Sequence, residues 1–337
     1  MAGTTEAIES EQLASRRTAL RERLAISPEL YRRVTFVAAA ALTLIVLTGA
    51  AVRLTGSGLG CPDWPKCYGR TIPPLQFHTV IEFGNRMVTG LVGLIVIAAA
   101  GLAFLRRPFR RHLAILGILL PLGVVGQAVL GGLVVRYDLN PVLVMCHFIL
   151  SMLLLDAAFA LAWCAAHDPG WRAPSHDRLG TWAIRGLVPF GQLTVLLGTI
   201  ATGAGPHAGE HSGQLVKRFT FEGRDTLSWV VARHGTVAAV FGVAAVAVWF
   251  LDRRAAGEGR AHKPLTVLCL LLLAQGILGF IQYRLHVPAG MVWVHVTLAT
   301  ASWLATLWAV ASAGRLAPRG ATQAQEASPP VAAAARV

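Results

Sequence analysis

The sequence predicts an all-α polytopic membrane protein of eight transmembrane helices arranged as two duplicated four-helix bundles, and three observations carry that expectation. First, 55% of the 337 residues are hydrophobic and only 14% are charged. The apolar residues fall into runs of about 18 to 25, the length a helix needs to cross a bilayer. Second, one phrase is written twice: Gln127, Leu130, Gly131, Arg136 and His147 recur as Gln275, Leu278, Gly279, Arg284 and His295, at a constant offset of 148. Third, the basic residues sort by loop, roughly twenty on one side and ten on the other, which puts both termini in the cytoplasm.

The elements follow in order. Residues 1–33 carry Arg16, Arg17, Arg21, Arg23, Arg32 and Arg33, and the start has no apolar h-region, so this is a charged cytoplasmic tail with no evident cleavable signal. Spans are expected at 34–52, 80–105, 113–135 and 142–164, giving a first bundle at 34–166. A cytoplasmic linker at 167–183 leads to spans at 184–203, 230–251, 265–283 and 291–312, giving a second bundle at 184–312. Residues 313–337, rich in Ala, Pro and Gln from Ala317 on, lack periodicity and read as a disordered cytoplasmic tail. Arg106, Arg107, Arg110 and Arg111 fill the second loop, and Arg253, Arg254, Arg260 and Lys263 the sixth. The net charge of +13 is therefore topological and does not mark a nucleic-acid binder. The stretch from 211 to 229, with Lys217, Arg218, Glu222, Arg224 and Asp225, reads as a solvated external loop rather than a lid.

The repeat extends beyond the shared phrase. Asn85-Arg86 leads an apolar run that ends at Arg106-Arg107, and Arg233-His234 leads one that ends at Arg253-Arg254. Cys146, Cys164 and Cys269 lie in apolar runs and read as small core residues. Cys61 and Cys67 lie in the first external loop. A Cys-x5-Cys pair on the oxidising side is most simply a disulfide, with zinc the lesser alternative because no second ligand pair is near in sequence.

Of eleven histidines, His147, His234 and His295 lie clearly inside spans, each within about two turns of the external end and so roughly 6 to 10 Å below the loops. A single intramembrane histidine is as readily an interhelical hydrogen-bonding residue. Repetition favours chemistry: imidazoles of His234 and His295 opposed across the second bundle would ligate haem iron axially. Arg233, Arg284 and His207 lie at the outer mouth, where haem propionates need cations, although snorkelling would place arginines there too.

In the first half the position of His234 is taken by Asn85, at offset 149. A haem there would be five-coordinate through His147 or would recruit water. His78, about 10 Å from Asn85 along the helix, could replace the ligand only if the helix entrance moved. Glu82 lies one turn before Asn85 and shares its face. It either serves a proton or cation at the pocket edge or forms a structural salt bridge with Arg86 or Arg53. Charge inside a span is costly, so a function is the default reading once burial is granted.

Taken together these residues resemble the haem A synthase family. The resemblance covers almost all of 34–312 and rests on Arg53-Leu54-Thr55-Gly56-Ser57-Gly58-Leu59 through Cys61-Pro62-Asp63-Trp64-Pro65, on Glu82-Phe83-Gly84-Asn85-Arg86, on Gln127 through Arg136 with His147, on Gly205-Pro206-His207-Ala208-Gly209, and on His234 and His295. It implies an oxidoreductase of the bacterial cell membrane that converts a ring methyl of haem O to formyl through a hydroxymethyl intermediate, making haem A for a terminal oxidase. It further implies haem b as cofactor between His234 and His295, and haem O as substrate in the first bundle among His147, Asn85, Arg86, Arg53 and Arg136. Glu82 matches the family's essential carboxylate, and Cys61 and Cys67 its external cysteine pair. Asn85 departs from the family's Glu-x-x-His-Arg pattern. A haem O synthase and a membrane electron donor are the expected partners, and a homo-oligomer is allowed. The rivals are a non-catalytic haem carrier or transporter and a quinol-oxidising cytochrome b subunit. Against them stand Glu82 and the one-sided loss of a histidine.

Overall fold

A computed structural model describes residues 23–169, 174–175, 177–211, 214–221, 225–254 and 261–316. Among them are eight long helices, α1 (Pro28–Leu54), α2 (Phe77–Leu105), α3 (Arg111–Arg136), α4 (Pro141–Ala166), α5 (Arg178–Ala204), α6 (Thr226–Arg254), α7 (His262–Arg284) and α8 (Ala289–Ser312). Two short strands, β1 (Pro174–Ser175) and β2 (Arg315–Leu316), pair in parallel. Every expected span lies inside one helix, and all eight helices are long and apolar enough to cross a membrane. The protein is an all-α multi-pass membrane protein.

The helices outrun the apolar runs because polar caps extend them. The Ser27 hydroxyl accepts the Leu30 N–H at 3.2 Å with Pro28 in the first turn, and Asn140 accepts from Val142 ahead of Pro141. Both are strong start signals, and the first of them begins α1 six residues before its apolar run. Asp177 likewise accepts the Gly180 N–H at 2.8 Å, so α5 starts inside the segment read as a linker. Arg315 and Leu316, expected to be disordered, are ordered by their pairing with β1. Arg16, Arg17, Arg21, Glu222, Arg224, Arg260 and the tail from 317 lie outside the described residues.

The chain divides into two compact units. The first comprises 1–168, 196–232 and 282–297. In it α1 packs on α2, α2 on α3, α3 on α4 and α4 on α1, so α2 and α4 stand at opposite corners of a four-helix ring. The inward stripe of α2 carries Glu82, Val92, Val96, Ala99 and Ala103, the three-and-four spacing of one helix face. Small residues let backbones close: a Cβ on Gly117 would lie 3.2 Å from the Ala100 Cα, the kind of contact that replaces the hydrophobic effect between helices in lipid. At the far end of the ring, the Ile26 N–H bonds the Leu105 carbonyl and the Arg107 N–H bonds that of Ile26. Arg106, one of the arginines of the second loop, is only 2% exposed. Burial and the neighbouring Arg110 pull its guanidinium below the usual arginine range.

The second unit comprises 169–195, 233–281 and 298–337. Its core draws Ile184 and Leu187 from α5, Phe241 and Ala245 from α6, Leu265 and Leu268 from α7 and Ala305 and Ala309 from α8. The Trp249 indole N–H donates to the Thr266 hydroxyl at 2.8 Å and ties α6 to α7.

Candidate functional site

Glu82 lies in the second turn of α2 and is 6% exposed. Its Oε2 accepts the Cys61 backbone N–H at 2.7 Å, and its Oε1 accepts from Arg86 Nη2 at 2.5 Å. Arg86 sits one turn on, and its Nη1 also donates to the carbonyls of Asp63 and Lys66, both at 3.0 Å. A buried carboxylate is tolerable only with such charge-assisted partners on each oxygen. Of the two ion-pair partners the sequence allowed, Arg86 is the one engaged; Arg53 Nη2 instead donates to the Thr202 carbonyl at 2.6 Å.

The loop that carries Cys61, Asp63 and Lys66 is closed by a Cys61–Cys67 disulfide, Cα atoms 4.9 Å apart. The bridge consumes both thiols and sets aside the zinc alternative, and no group of three or more metal-ligating side chains occurs among the described residues. The loop is pinned from several sides. Thr79 Oγ1 donates to the Gly60 carbonyl at 2.9 Å, and Asp63 accepts the N–H groups of Tyr68 and Gly69. Trp64 lies over Gly132 of α3, where a Cβ would come within 2.9 Å of the indole. Asp63 and Trp64 belong to the segment that carries the resemblance and Gly132 to the one from Gln127 to Arg136, but spacing gives them no role; Lys66 is marked only by its place inside the cysteine loop.

Asn85 and Thr89 follow Glu82 at helical spacing and are half-buried, and the Asn85 Oδ1 is sequestered without a hydrogen-bond partner. At the opposite corner, the Nδ1 of His147 is likewise sequestered and unpartnered. The repeated Gln-x-x-Leu-Gly phrase gains a local meaning here. Gln127 Nε2 donates to the His147 carbonyl at 3.0 Å and to Ser151 Oγ at 2.7 Å, while Gly131 lies against the His147 ring, 3.4 Å from where its Cβ would be. His78 is committed elsewhere: its Nδ1 bonds Ser57 Oγ at 3.0 Å and its ring stacks on His211 at 4.5 Å.

The loop after α5 is exposed over much of its described part, at Lys217, Arg218, Thr220 and Phe221, and is held at several points. Gly58 N–H donates to the Gly209 carbonyl and Phe219 N–H to that of Gly203, Arg218 pairs with Glu210, and Leu215 stands almost wholly exposed at 98%. Gly56, at φ +67, would place a Cβ 2.6 Å from the Glu210 carbonyl, so the site requires glycine. His207 Nε2 donates to the Val287 carbonyl at 2.7 Å.

Asn85 and His234 are each the ninth residue of a 29-residue helix, and His147 and His295 each the seventh residue of theirs. His234 is half-buried, and its Nδ1 donates to the Thr194 carbonyl at 3.0 Å. That bond fixes the tautomer and leaves Nε2 as the lone-pair nitrogen, the arrangement typical of metal-ligating histidines. His295 is half-buried, Arg136 and Arg284 are exposed at the last residues of α3 and α7, and Arg233 is exposed within α6 beside His234.

Comparison with known proteins agrees with this description. "Heme A synthase" of Bacillus pumilus is 34% identical over 123 residues, 36% of this chain and 40% of the relative. The protein of the same name from Geobacillus kaustophilus is 35% identical over 144 residues, 39% of this chain and 45% of the relative. "Protoheme IX farnesyltransferase" of Thermus thermophilus is 28% identical over 281 residues, 80% of this chain and 46% of the relative. The chain thus spans less than half the length of each of these relatives. The family model described as cytochrome oxidase assembly protein, COX15-CtaA, matches residues 32–80 and 74–308. That match takes in both the Glu82 cluster and all three intramembrane histidines, and the chain belongs to the COX15-CtaA family of cytochrome oxidase assembly proteins.

Proposed function

We propose that this protein acts in haem A biosynthesis, oxidising a ring methyl of haem O to formyl through a hydroxymethyl intermediate. The observation that carries the reading is Glu82, a buried carboxylate with a fixed donor on each oxygen, set one turn before Asn85 on the helix diagonal to the one bearing His147. A substrate haem between α2 and α4 would take His147 as its iron ligand; the sequestered, unpartnered polar atoms of His147 and Asn85 fit a polar guest. Arg53, Arg86 and Arg136 are the cations offered to that haem.

Haem b, with His234 and His295 proposed as its ligands, would supply electron relay; the His234–Thr194 bond suits that role because a hydrogen bond on one ring nitrogen orients a ligating imidazole. Arg233, Arg284 and His207 are the proposed propionate contacts. Glu82 would stabilise positive charge or take a proton at the methyl carbon, and Arg86 would hold it in place. The protein would lie in the bacterial cell membrane with both termini cytoplasmic, fed by a haem O synthase and coupled to a membrane electron donor. The test is mass analysis of haem extracted from the chain after expression beside a haem O source, for wild type and Glu82→Gln. Haem A or its hydroxymethyl precursor in wild type alone supports the reading. Unaltered haem O in both, with normal binding, would make the protein a carrier.

A further inference from the structure

The first unit holds an asymmetry that bears on what else its haem can bind. α2 and α4 stand at opposite corners of the ring, and on α2 the half-buried Asn85 and Thr89 fall at three-and-four spacing between the buried Glu82 and Val92. A planar guest between those corners meets an imidazole on the α4 side and a carboxamide on the α2 side. An amide oxygen or nitrogen is a feeble iron ligand, whereas imidazole is a good one. His78, two turns before Asn85, does not stand in, being fastened to Ser57 and stacked on His211.

We infer that the haem of the first bundle is five-coordinate through His147, and that its second axial position, beside Asn85, takes a small neutral diatomic ligand. This rests on the proposed substrate-haem site and deepens it. The carboxamide is both donor and acceptor, and its Nδ2–H group is the part that can donate to the outer atom of a bound diatomic, which has no hydrogen to offer Oδ1. The second bundle has His234 at the matching ninth position and should be closed to such ligands.

The experiment uses the full chain purified from cells that make haem O, with haem counted per polypeptide and spectra of the ferrous protein taken with and without carbon monoxide. Wild type should form a carbonyl complex on about half of a two-haem complement, the six-coordinate half staying unreactive. Asn85→His should lose that complex at least tenfold at unchanged haem content. Asn85→Leu should keep it but raise the C–O stretching frequency, because the hydrogen bond is gone. A full haem complement with no carbonyl complex in wild type overturns the inference, as does a stretching frequency that Asn85→Leu leaves unmoved. A chain that binds a single haem, unaffected by His147→Ala, overturns the substrate-haem reading itself.

Discussion

The backbone N–H of Cys61 donates to Oε2 of Glu82 at 2.7 Å, so the disulfide loop and the buried carboxylate form one hydrogen-bonded unit. The same loop gives Arg86 two carbonyls, from Asp63 and Lys66. The geometry of Glu82 is thus set by a segment whose own shape depends on a covalent bridge.

Opening that bridge should therefore disturb chemistry before it disturbs binding. Closing so short a loop contributes about 2 kcal/mol against the unfolded chain, and loss of a charge-assisted hydrogen bond costs about 1.5 to 3 kcal/mol. Cys61→Ser with Cys67→Ser should lower conversion of haem O about tenfold or more while haem content stays near wild type, read by mass analysis of extracted haem.

Arg86 spans three acceptors with one planar fork, which lysine cannot reproduce. Arg86→Lys should lose about tenfold in conversion. Arg86→Ala should also destabilise the fold by about 3 to 5 kcal/mol, because it leaves a buried carboxylate unpaired. Adding Glu82→Gln to Arg86→Ala should restore part of that stability but no activity, a coupling that a double-mutant cycle of thermal melts will measure.

Gly132 makes room for Trp64. Gly132→Ala should push the indole away at a cost of about 1 to 3 kcal/mol, lower conversion, and change the tryptophan emission. Gly90 on α2 has open space where its Cβ would be, and Gly90→Ala should leave melting and conversion unchanged. Equal effects at both positions would show that the Trp64 seat is unimportant.

His234→Ala should abolish the low-spin haem spectrum of protein made without haem O, since His234 is the one histidine of α6. Retention of that spectrum would move the cofactor ligand elsewhere.

Much of this was legible in sequence. Lipid leaves a spanning backbone no choice but to bond within itself, so hydropathy alone located eight helices, and the chemistry of His147, His234, His295 and Glu82 stood out because polar groups are rare in such segments. The helix ends at Pro28 and Arg178 were misplaced because polar caps, not apolar runs, set them. The order of Arg315 and Leu316 depends on a strand partner 141 residues away.

What the sequence determined by itself is the class, the number of spans and the identity of the chemically able residues, because each follows from local composition and spacing. The tertiary structure decided the partnerships. It gave Arg86 rather than Arg53 to Glu82, joined Cys61 to Cys67, committed His78 to Ser57 and set Gln127 against the backbone of His147. A one-dimensional spacing can say which groups share a helix face, but which of several cations meets a carboxylate is settled by loop paths and helix packing, where a few ångströms separate a hydrogen bond from none.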